Sequence, residues 1–174
     1  MSAPLITISL WQPWASAIAA GLKLYETRIW ATELPVGSRL AIHAAKQNGR
    51  EVRDFWFHRV SLRPDFLAAF ARIGIETWEQ MPLGAVVATA TFTGCATTES
   101  LVESGKVRPE DGEFFWGNFA TTDDQSGRPR YGWGLDQMRA LAQPAPAKGH
   151  QGFFMWDPST NETRSMGPLR RRAA

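Results

Sequence analysis

The sequence predicts an α+β fold in which a mixed β-barrel carries flanking helices. Strand-like segments are interleaved with a few helical segments, without the regular strand–helix–strand rhythm of a doubly wound sheet. The strongest strand pattern, at Gly84–Ala96, is long enough to require a bend or a bulge. Gly94 is the natural position for that bend, because glycine tolerates the irregular backbone.

The individual elements follow in order along the chain. Leu5–Leu10 alternates and is rich in β-branched residues, which predicts a strand. A helix then begins near Pro13, whose missing N–H is harmless in a first turn, and it ends at Gly21. The further predictions are strands at Tyr25–Trp30 and Arg39–Ala45, a helical stretch at Arg50–Ala71 broken near Pro64, a short helical turn at Glu76–Met81, the strand at Gly84–Ala96, an excursion across one barrel face at Glu99–Arg128, a strand at Arg130–Leu141, a loop holding Pro144, Pro146 and Gly149, and a closing segment at Gln151–Asp157.

The 174 residues fit one domain, and no repeat or internal linker divides them. We expect the domain to occupy residues 1–160. Residues 161–174 are predicted to form a basic, disordered C-terminal tail, because Arg164 and Arg170–Arg172 lie there.

Composition limits the possible environments and partners. A net charge of +2 permits nucleic acid as a partner but does not require it. A single cysteine, Cys95, excludes an internal disulfide and favours a reducing compartment. No apolar run approaches the roughly 20 residues that span a bilayer. The sequence therefore predicts a cytoplasmic protein without a membrane partner.

The densest group of reactive side chains lies where the first helix ends and the next strand begins. Residues two apart in a strand share a face, so Glu26 and Arg28 point the same way and Thr27 points the other way. Lys23 lies in the connection and can reach either face. Such a group can bind a phosphate or the polar edge of a base, or transfer protons if it is buried. The alternative is an ion-paired strand edge.

Aromatic and basic side chains flank this group. Trp11 and Trp14 can stack on a base, a contact worth roughly 1–3 kcal/mol in single-strand binders, or can belong to the core. His43 and Lys46 end the third predicted strand and are further candidates for substrate binding. For His43 the alternative is a structural histidine whose hydrogen bonds are satisfied within the protein.

Other common site types are excluded by their missing motifs. The chain has no phosphate-binding loop, no dinucleotide fingerprint and no nucleophile elbow. Its three histidines and one cysteine lack the spacing of zinc ligands, so no metal site is expected. No cofactor is expected either.

Several segments together resemble the signature of the ASCH domain family. The mark of that family is Gly-x-Lys-x-x-Glu-x-Arg, and the chain has Gly21, Lys23, Glu26 and Arg28 at this spacing. Further similar segments are Ser9–Ala15, Ile42–Lys46, Gly132–Trp133 and Lys148–Gly152. The resemblance implies a PUA-like barrel, a cleft beside the signature helix and a general link to RNA.

The activities that the resemblance implies differ between branches of the family. One bacterial branch resembles an amidohydrolase that removes acyl groups from the exocyclic amine of cytidine, as in N(4)-acetylcytidine. That branch uses a lysine at the position of Lys23, a threonine at the position of Glu26 and a separate glutamate. Other members resemble ribonucleases or nucleic-acid-binding modules. Here position 26 is glutamate, so the threonine nucleophile is absent from its own place.

Three hypotheses follow. In a hydrolase acting on an acylated pyrimidine nucleoside, Lys23 is a base or an electrostatic stabiliser and Glu26 activates water. Arg28 orients the substrate, and a tryptophan stacks on the base. If Glu26 has no such role, Thr27 or Glu113 is the next candidate partner of Lys23. In a ribonuclease, Lys23 and Arg28 hold the scissile phosphate while Glu26 or His43 moves protons. The third hypothesis is a module that binds RNA without chemistry.

Overall fold

The computed structural model describes residues 3–46 and 50–166. Its strands are β1 (Leu5–Leu10), β2 (Tyr25–Arg28), β3 (Arg39–Ala44), β4 (Ala85–Thr97), β5 (Tyr131–Pro146), β6 (Phe153–Trp156) and β7 (Thr163–Ser165). Its helices are α1 (Trp14–Ala19), α2 (Arg50–Phe55), α3 (Pro64–Ala71), α4 (Thr98–Glu103) and α5 (Gly112–Trp116), with a π-helical segment at Trp56–Val60 and a 3-10 turn at Trp78–Gln80. In the part of the chain described, no helix has the length and apolar character needed to cross a membrane.

The strands form one sheet in the order β2-β5-β4-β3-β1-β6-β7. β1 and β3 run parallel, whereas the other neighbouring pairs are antiparallel. The mixed sheet with its helices confirms the α+β class. The two outermost strands, β2 and β7, do not pair with each other in the described residues, so the sheet is open there. Closure into a barrel therefore stays a prediction.

Strand β4 is bent as its sequence predicts. Its register against β5 shifts at three places, between Val86 and Ala88, between Thr89 and Thr91, and between Phe92 and Gly94. Gly94 has a φ of 139°, a region that side chains larger than hydrogen rarely adopt. The predicted bend at Gly94 is confirmed.

The predicted element order is incomplete in one part and wrong in another. The excursion at Glu99–Arg128 contains the helices α4 and α5, which are too short to show a helical period in the sequence. Pro144 and Pro146 lie at the end of β5 rather than in a loop. β2 pairs only with Tyr131–Gly134, so the later part of β5 has no neighbouring strand on that side. A proline there can direct its nitrogen away from β4, and the sheet then loses no hydrogen bond.

The sheet also continues beyond residue 160, where the predicted domain ends. β7 pairs with β6 and brings Arg164 opposite Met155. Arg164 thus belongs to a strand rather than to a tail. Residues 167–174, with Arg170–Arg172, lie outside the described residues, so the disorder of the tail stays a prediction.

Helix α1 is packed on two sides. Ala15 and Ile18 belong to the apolar cluster formed with the inner strands of the sheet. Ala17 belongs to a second cluster formed by the helical half of the chain, together with Trp56 and Trp116. Small alanine side chains allow this close approach from both sides. The C-terminal end of α1 therefore lies at the junction of the two clusters, and Lys23 follows directly after it.

Gly132 in β5 is a position where the fold leaves no room for a side chain. A Cβ atom there would lie 2.5 Å from Cδ1 of Leu101 and 3.4 Å from Cδ1 of Tyr25. We expect Gly132→Ala to lower the free energy of unfolding by about 1–3 kcal/mol, because the added methyl group overpacks the contact with α4. Urea denaturation measures this change.

Gly112→Ala is the matched control for this prediction. A Cβ at Gly112 meets nothing within 4 Å, and the residue opens α5, where alanine favours the helix. It should leave the stability unchanged or raise it slightly. Equal stability of both variants would mean that α4 moves aside freely.

Candidate functional site

A cavity of about 440 Å³ opens where α1, β2 and the end of α5 meet. We call it the signature cavity. Its lining residues are Ser9, Leu10, Trp11, Trp14, Lys23, Glu26, Thr27, Arg28, Phe115, Trp116, Gly117 and Asn118. The structure thus brings together five of the predicted site residues: Lys23, Glu26, Arg28, Trp11 and Trp14.

The connection after α1 places Lys23 inside the protein. The chain turns at Gly21, whose φ is 74°, and the amide of Lys23 donates to the carbonyl of Ala17. The Lys23 side chain is 1% exposed. Its Nζ donates to the carbonyl oxygens of Tyr25, at 2.6 Å, and Trp116, at 3.2 Å. A buried ammonium needs such partners, because an unpaired one is expensive to desolvate.

Glu26 lies between two cations. Its Oε2 is 3.5 Å from Nζ of Lys23, and its Oε1 is 2.8 Å from Nε of Arg28, although that N–H is not directed at the oxygen. Arg28 also donates from Nη2 to the carbonyl of Ser9 at 3.1 Å. The Glu26 side chain is 9% exposed and that of Arg28 is 32% exposed. The carboxylate is thus held in place by charge, and the guanidinium reaches water.

Thr27 lies on the α5 side of the signature cavity. Its Oγ1 accepts a hydrogen bond from the amide of Asn118 at 3.1 Å, and a Cβ on Gly117 would lie 3.1 Å from its methyl group. Although it alternates with Glu26 along β2, it still lines the same cavity. The reason is that the segment after α5 folds over the strand and forms a wall from the other side.

Glu113 lies outside the lining of the signature cavity and holds part of its wall in place. Its carboxylate accepts the amide N–H of Leu24 and, at 3.1 Å, that of Tyr25. These bonds join α5 to the start of β2 and so position the wall formed by Trp116. Burial raises the pKa of Glu113, against the opposing influence of the two amides and of Lys23. The sequence offers only a weak signal for this role, a carboxylate beside three aromatic residues.

Aromatic rings cover much of the remaining wall. Trp11 is 56% exposed, whereas Trp14 is half-buried against Phe55, with their ring centroids 5.1 Å apart. Phe115 and Trp116 complete the apolar side. Trp11 has the exposure that stacking on a ligand requires, and Trp14 belongs largely to the core.

His43 and Lys46 line a different cavity, of about 650 Å³, which we call the flanking cavity. Its lining residues are Ser9, Trp11, His43, Ala45, Lys46, Leu83, Gly84, Ala147, Lys148, Gly149, His150 and Gln151. Ser9 and Trp11 line both cavities. The structure therefore separates two of the predicted site residues from the Lys23 group, but only by this shared wall.

His43 has hydrogen-bond partners on both ring nitrogens. Nδ1 is 2.9 Å from Oγ of Ser9, and Nε2 is 3.1 Å from the carbonyl of Ala147. A carbonyl only accepts, so Nε2 carries the proton and Nδ1 accepts from the serine. The residue is 1% exposed. Both features favour the structural alternative for His43.

The pKa of His43 is lowered, because burial disfavours the imidazolium and His150 lies nearby, against a raising effect of the Ala147 carbonyl. In the unfolded chain the histidine takes up a proton near pH 6.5, whereas in the folded state it does so only at lower pH. The unfolded state therefore binds more protons in this window, and the stability falls as the pH falls below about 6.5.

We expect thermal unfolding of the wild type to show this loss between about pH 8 and pH 5.5. His43→Gln should weaken it, since glutamine can bond Ser9 and Ala147 without titrating. Because all other groups are common to both proteins, the difference between their profiles isolates His43. Parallel profiles would contradict the prediction.

Comparison with known proteins gives a family match. The ASCH domain model matches residues 8–106, a range that contains the signature segment and Lys46. No curated protein sequence matches the chain. Among solved structures, ASCH from Zymomonas mobilis is 14% identical, with 80% of this chain and 71% of that chain covered and a TM-score of 0.44. A tyrosine-to-phenylalanine mutant of that protein is 15% identical, with 82% and 75% covered and a TM-score of 0.43.

Proposed function

The chain belongs to the ASCH domain family, and on this basis we propose that the protein is a hydrolase of acylated pyrimidine nucleosides. The signature cavity binds the nucleoside, and the protein removes an acyl group from the exocyclic amine of the base, with N(4)-acetylcytidine as the type of substrate. The observation that carries this proposal is a glutamate held between two cations at the wall of an aromatic cavity. No cofactor is needed for this cleavage.

The lining of the cavity suits a single base. Its volume of about 440 Å³ lies within the range of small-molecule sites. The rings of Trp11 and Phe115 offer faces for stacking. Glutamate accepts hydrogen bonds from the exocyclic nitrogen of cytosine, and Arg28 donates to carbonyl oxygens. A cytosine whose exocyclic nitrogen lies against Glu26 satisfies both groups.

The same arrangement supports hydrolysis in two steps. Glu26 takes a proton from a water molecule whose oxygen attacks the acyl carbonyl carbon. The negative charge that develops on the carbonyl oxygen is stabilised by the cations Lys23 and Arg28. The bond between the acyl carbon and the exocyclic nitrogen then breaks, and Glu26 returns the proton to that nitrogen. The products are cytidine and the free carboxylic acid.

The other carboxylate and hydroxyl candidates are less suited to this step. Both oxygens of Glu113 are occupied by backbone amides, and it does not line the cavity. Thr27 does line the cavity, but its hydroxyl oxygen already accepts from Asn118. Glu26 has the position that a water-activating group requires, so water replaces the threonine nucleophile of the amidohydrolase branch.

One observation favours a second candidate, a module that binds RNA without chemistry. The ammonium of Lys23 has two carbonyl acceptors and one carboxylate as partners. In this arrangement Lys23 can serve to hold Glu26 and Trp116 in place, and Glu26 then reads a base instead of activating water.

The ribonuclease hypothesis has less support. His43 is one of its two proton-transfer candidates, but it lies in the flanking cavity with both ring nitrogens hydrogen-bonded inside the protein. Glu26 would have to carry out the proton transfers alone.

Incubation of the pure protein with N(4)-acetylcytidine and, separately, with short RNA distinguishes the three functions. Under the proposed function, cytidine and acetate appear in the first reaction and the RNA stays intact. Shortened RNA would replace the proposal with a ribonuclease. A change in RNA mobility with both substrates unchanged would replace it with the binding module.

A further inference from the structure

The signature cavity and the flanking cavity are neighbours on the protein surface. Ser9 and Trp11 line both. A third, smaller cavity of about 300 Å³ shares Arg28 with the first and His150 with the second. A ligand bound in the signature cavity that passes over Trp11 therefore reaches the flanking cavity directly.

The flanking cavity is positively charged. Lys46 and Lys148 line it and are both exposed. Among its described lining residues there is no aspartate or glutamate, although the chain as a whole has 17 acidic and 19 basic residues. The signature cavity, by contrast, contains Glu26. The charges of the signature cavity are therefore paired around Glu26, whereas the lysines of the flanking cavity have no carboxylate among its described lining residues.

The wall that carries Lys148 is fixed by the buried His43. The imidazole donates to the carbonyl of Ala147 and accepts from Ser9. A Cβ atom on Gly149 would lie 2.7 Å from Cε1 of His43 and 3.1 Å from Oγ of Ser9, so the loop lies directly on this pair. This gives His43 a positioning role for Lys148 and explains why a histidine stands in a cavity without facing a ligand.

Lys46 is positioned by a contact of its own. A Cβ on Gly84 would lie 3.6 Å from both Cβ and Cγ of Lys46, which means that the base of the lysine side chain packs on the glycine. The two lysines thus come from separate segments, one at the end of β3 and one in the loop after β5, and line the same cavity. Phosphate oxygens are the usual partners of such lysines in nucleotide sites.

We propose that the flanking cavity binds a phosphate group of the ligand whose base occupies the signature cavity. The preferred substrate is then a nucleotide, as found within RNA, rather than a free nucleoside. Trp11, at the shared wall, lies between the base and the phosphate positions. This inference rests on the proposed function for its ligand, and adds the lysines Lys46 and Lys148 as phosphate-binding residues.

Calorimetric binding of cytidine, cytidine 3′-monophosphate, cytidine 5′-monophosphate, the dinucleotide CpC and ribose 5-phosphate tests this proposal. We expect at least one phosphate-bearing ligand to bind about tenfold more tightly than cytidine. The double variant Lys46→Ala/Lys148→Ala should lose this gain and bind cytidine as the wild type does. Lys106→Ala is the control, because Lys106 is an exposed lysine that lines neither cavity.

The outcomes separate this inference from the proposed function. If cytidine binds and a phosphate adds nothing, or if Lys106→Ala removes the gain equally, the inference is overturned and the proposed function stands. If ribose 5-phosphate binds as tightly as the cytidine phosphates while cytidine does not bind, the base site fails and both are overturned. Absence of binding by all ligands also overturns both.

Discussion

Glu26→Gln is expected to reduce the hydrolysis of N(4)-acetylcytidine by about 100-fold or more, because the amide cannot take the proton of the attacking water. Glutamine keeps the volume of the side chain and one carbonyl oxygen that can face one of the two cations. The loss should therefore lie mainly in kcat and not in KM. Steady-state kinetics measure both constants, and circular dichroism verifies the fold.

Glu79→Gln provides the matched control, since Glu79 is exposed in the 3-10 turn and lines neither the signature cavity nor the flanking cavity. It should keep the wild-type rate. Full activity of Glu26→Gln would remove Glu26 from the mechanism. If the protein only binds RNA through phosphate contacts, Glu26→Gln should leave the affinity equal or slightly higher, because a negative charge beside the cations is neutralised. The two functions thus predict different changes for the same substitution.

Lys23→Met is expected to lower the free energy of unfolding by about 3 kcal/mol. The substitution leaves the carbonyls of Tyr25 and Trp116 without their shared donor, and Glu26 keeps only Arg28 as a cationic neighbour. Methionine has a similar length and no charge, so the loss reports the interactions of the ammonium and not a cavity. Urea denaturation measures the change.

A double-mutant cycle shows whether the ion pair itself is responsible. Lys23→Met/Glu26→Gln removes both buried charges, so its loss should be smaller than the sum of the two single losses by about 1–3 kcal/mol. Strict additivity would assign the cost to the two carbonyls instead. A loss below about 1 kcal/mol in Lys23→Met would contradict the prediction, because that is the range of exposed pairs.

The sequence predicted most regular elements because their signals are local. The strand at Leu5–Leu10 alternates, α1 ends at a glycine with positive φ, and Gly94 marks the bend of β4. The errors lie where tertiary contacts decide. α5 has only five residues, and it is fixed by contacts such as that of Glu113 with β2. The pattern of neighbouring residues cannot reveal a hydrogen-bond partner that is almost 90 positions away in the sequence.

The candidate site was likewise predictable only where its residues are close together in the sequence. Lys23, Glu26 and Arg28 are close in sequence, so strand geometry was enough to place Glu26 and Arg28 together. The assignment of His43 to substrate binding could not be tested in this way, because its partners Ser9 and Ala147 come from other strands and loops. Only the fold shows that Ser9 lies opposite His43 in the pairing of β1 with β3.

The backbone contacts of the cluster have a consequence for the divergence of related sequences. Main-chain carbonyls hold the polar groups: those of Tyr25 and Trp116 hold Lys23, that of Ser9 holds Arg28, and that of Ala147 holds His43. Every residue type has a main-chain carbonyl. Such a contact therefore survives when the residue that carries the carbonyl is replaced by another type. A mutational scan at Ala147 therefore reports the packing of its side chain and not the carbonyl that holds a histidine. Homologous chains can keep this geometry while their sequences drift apart at the positions that support it.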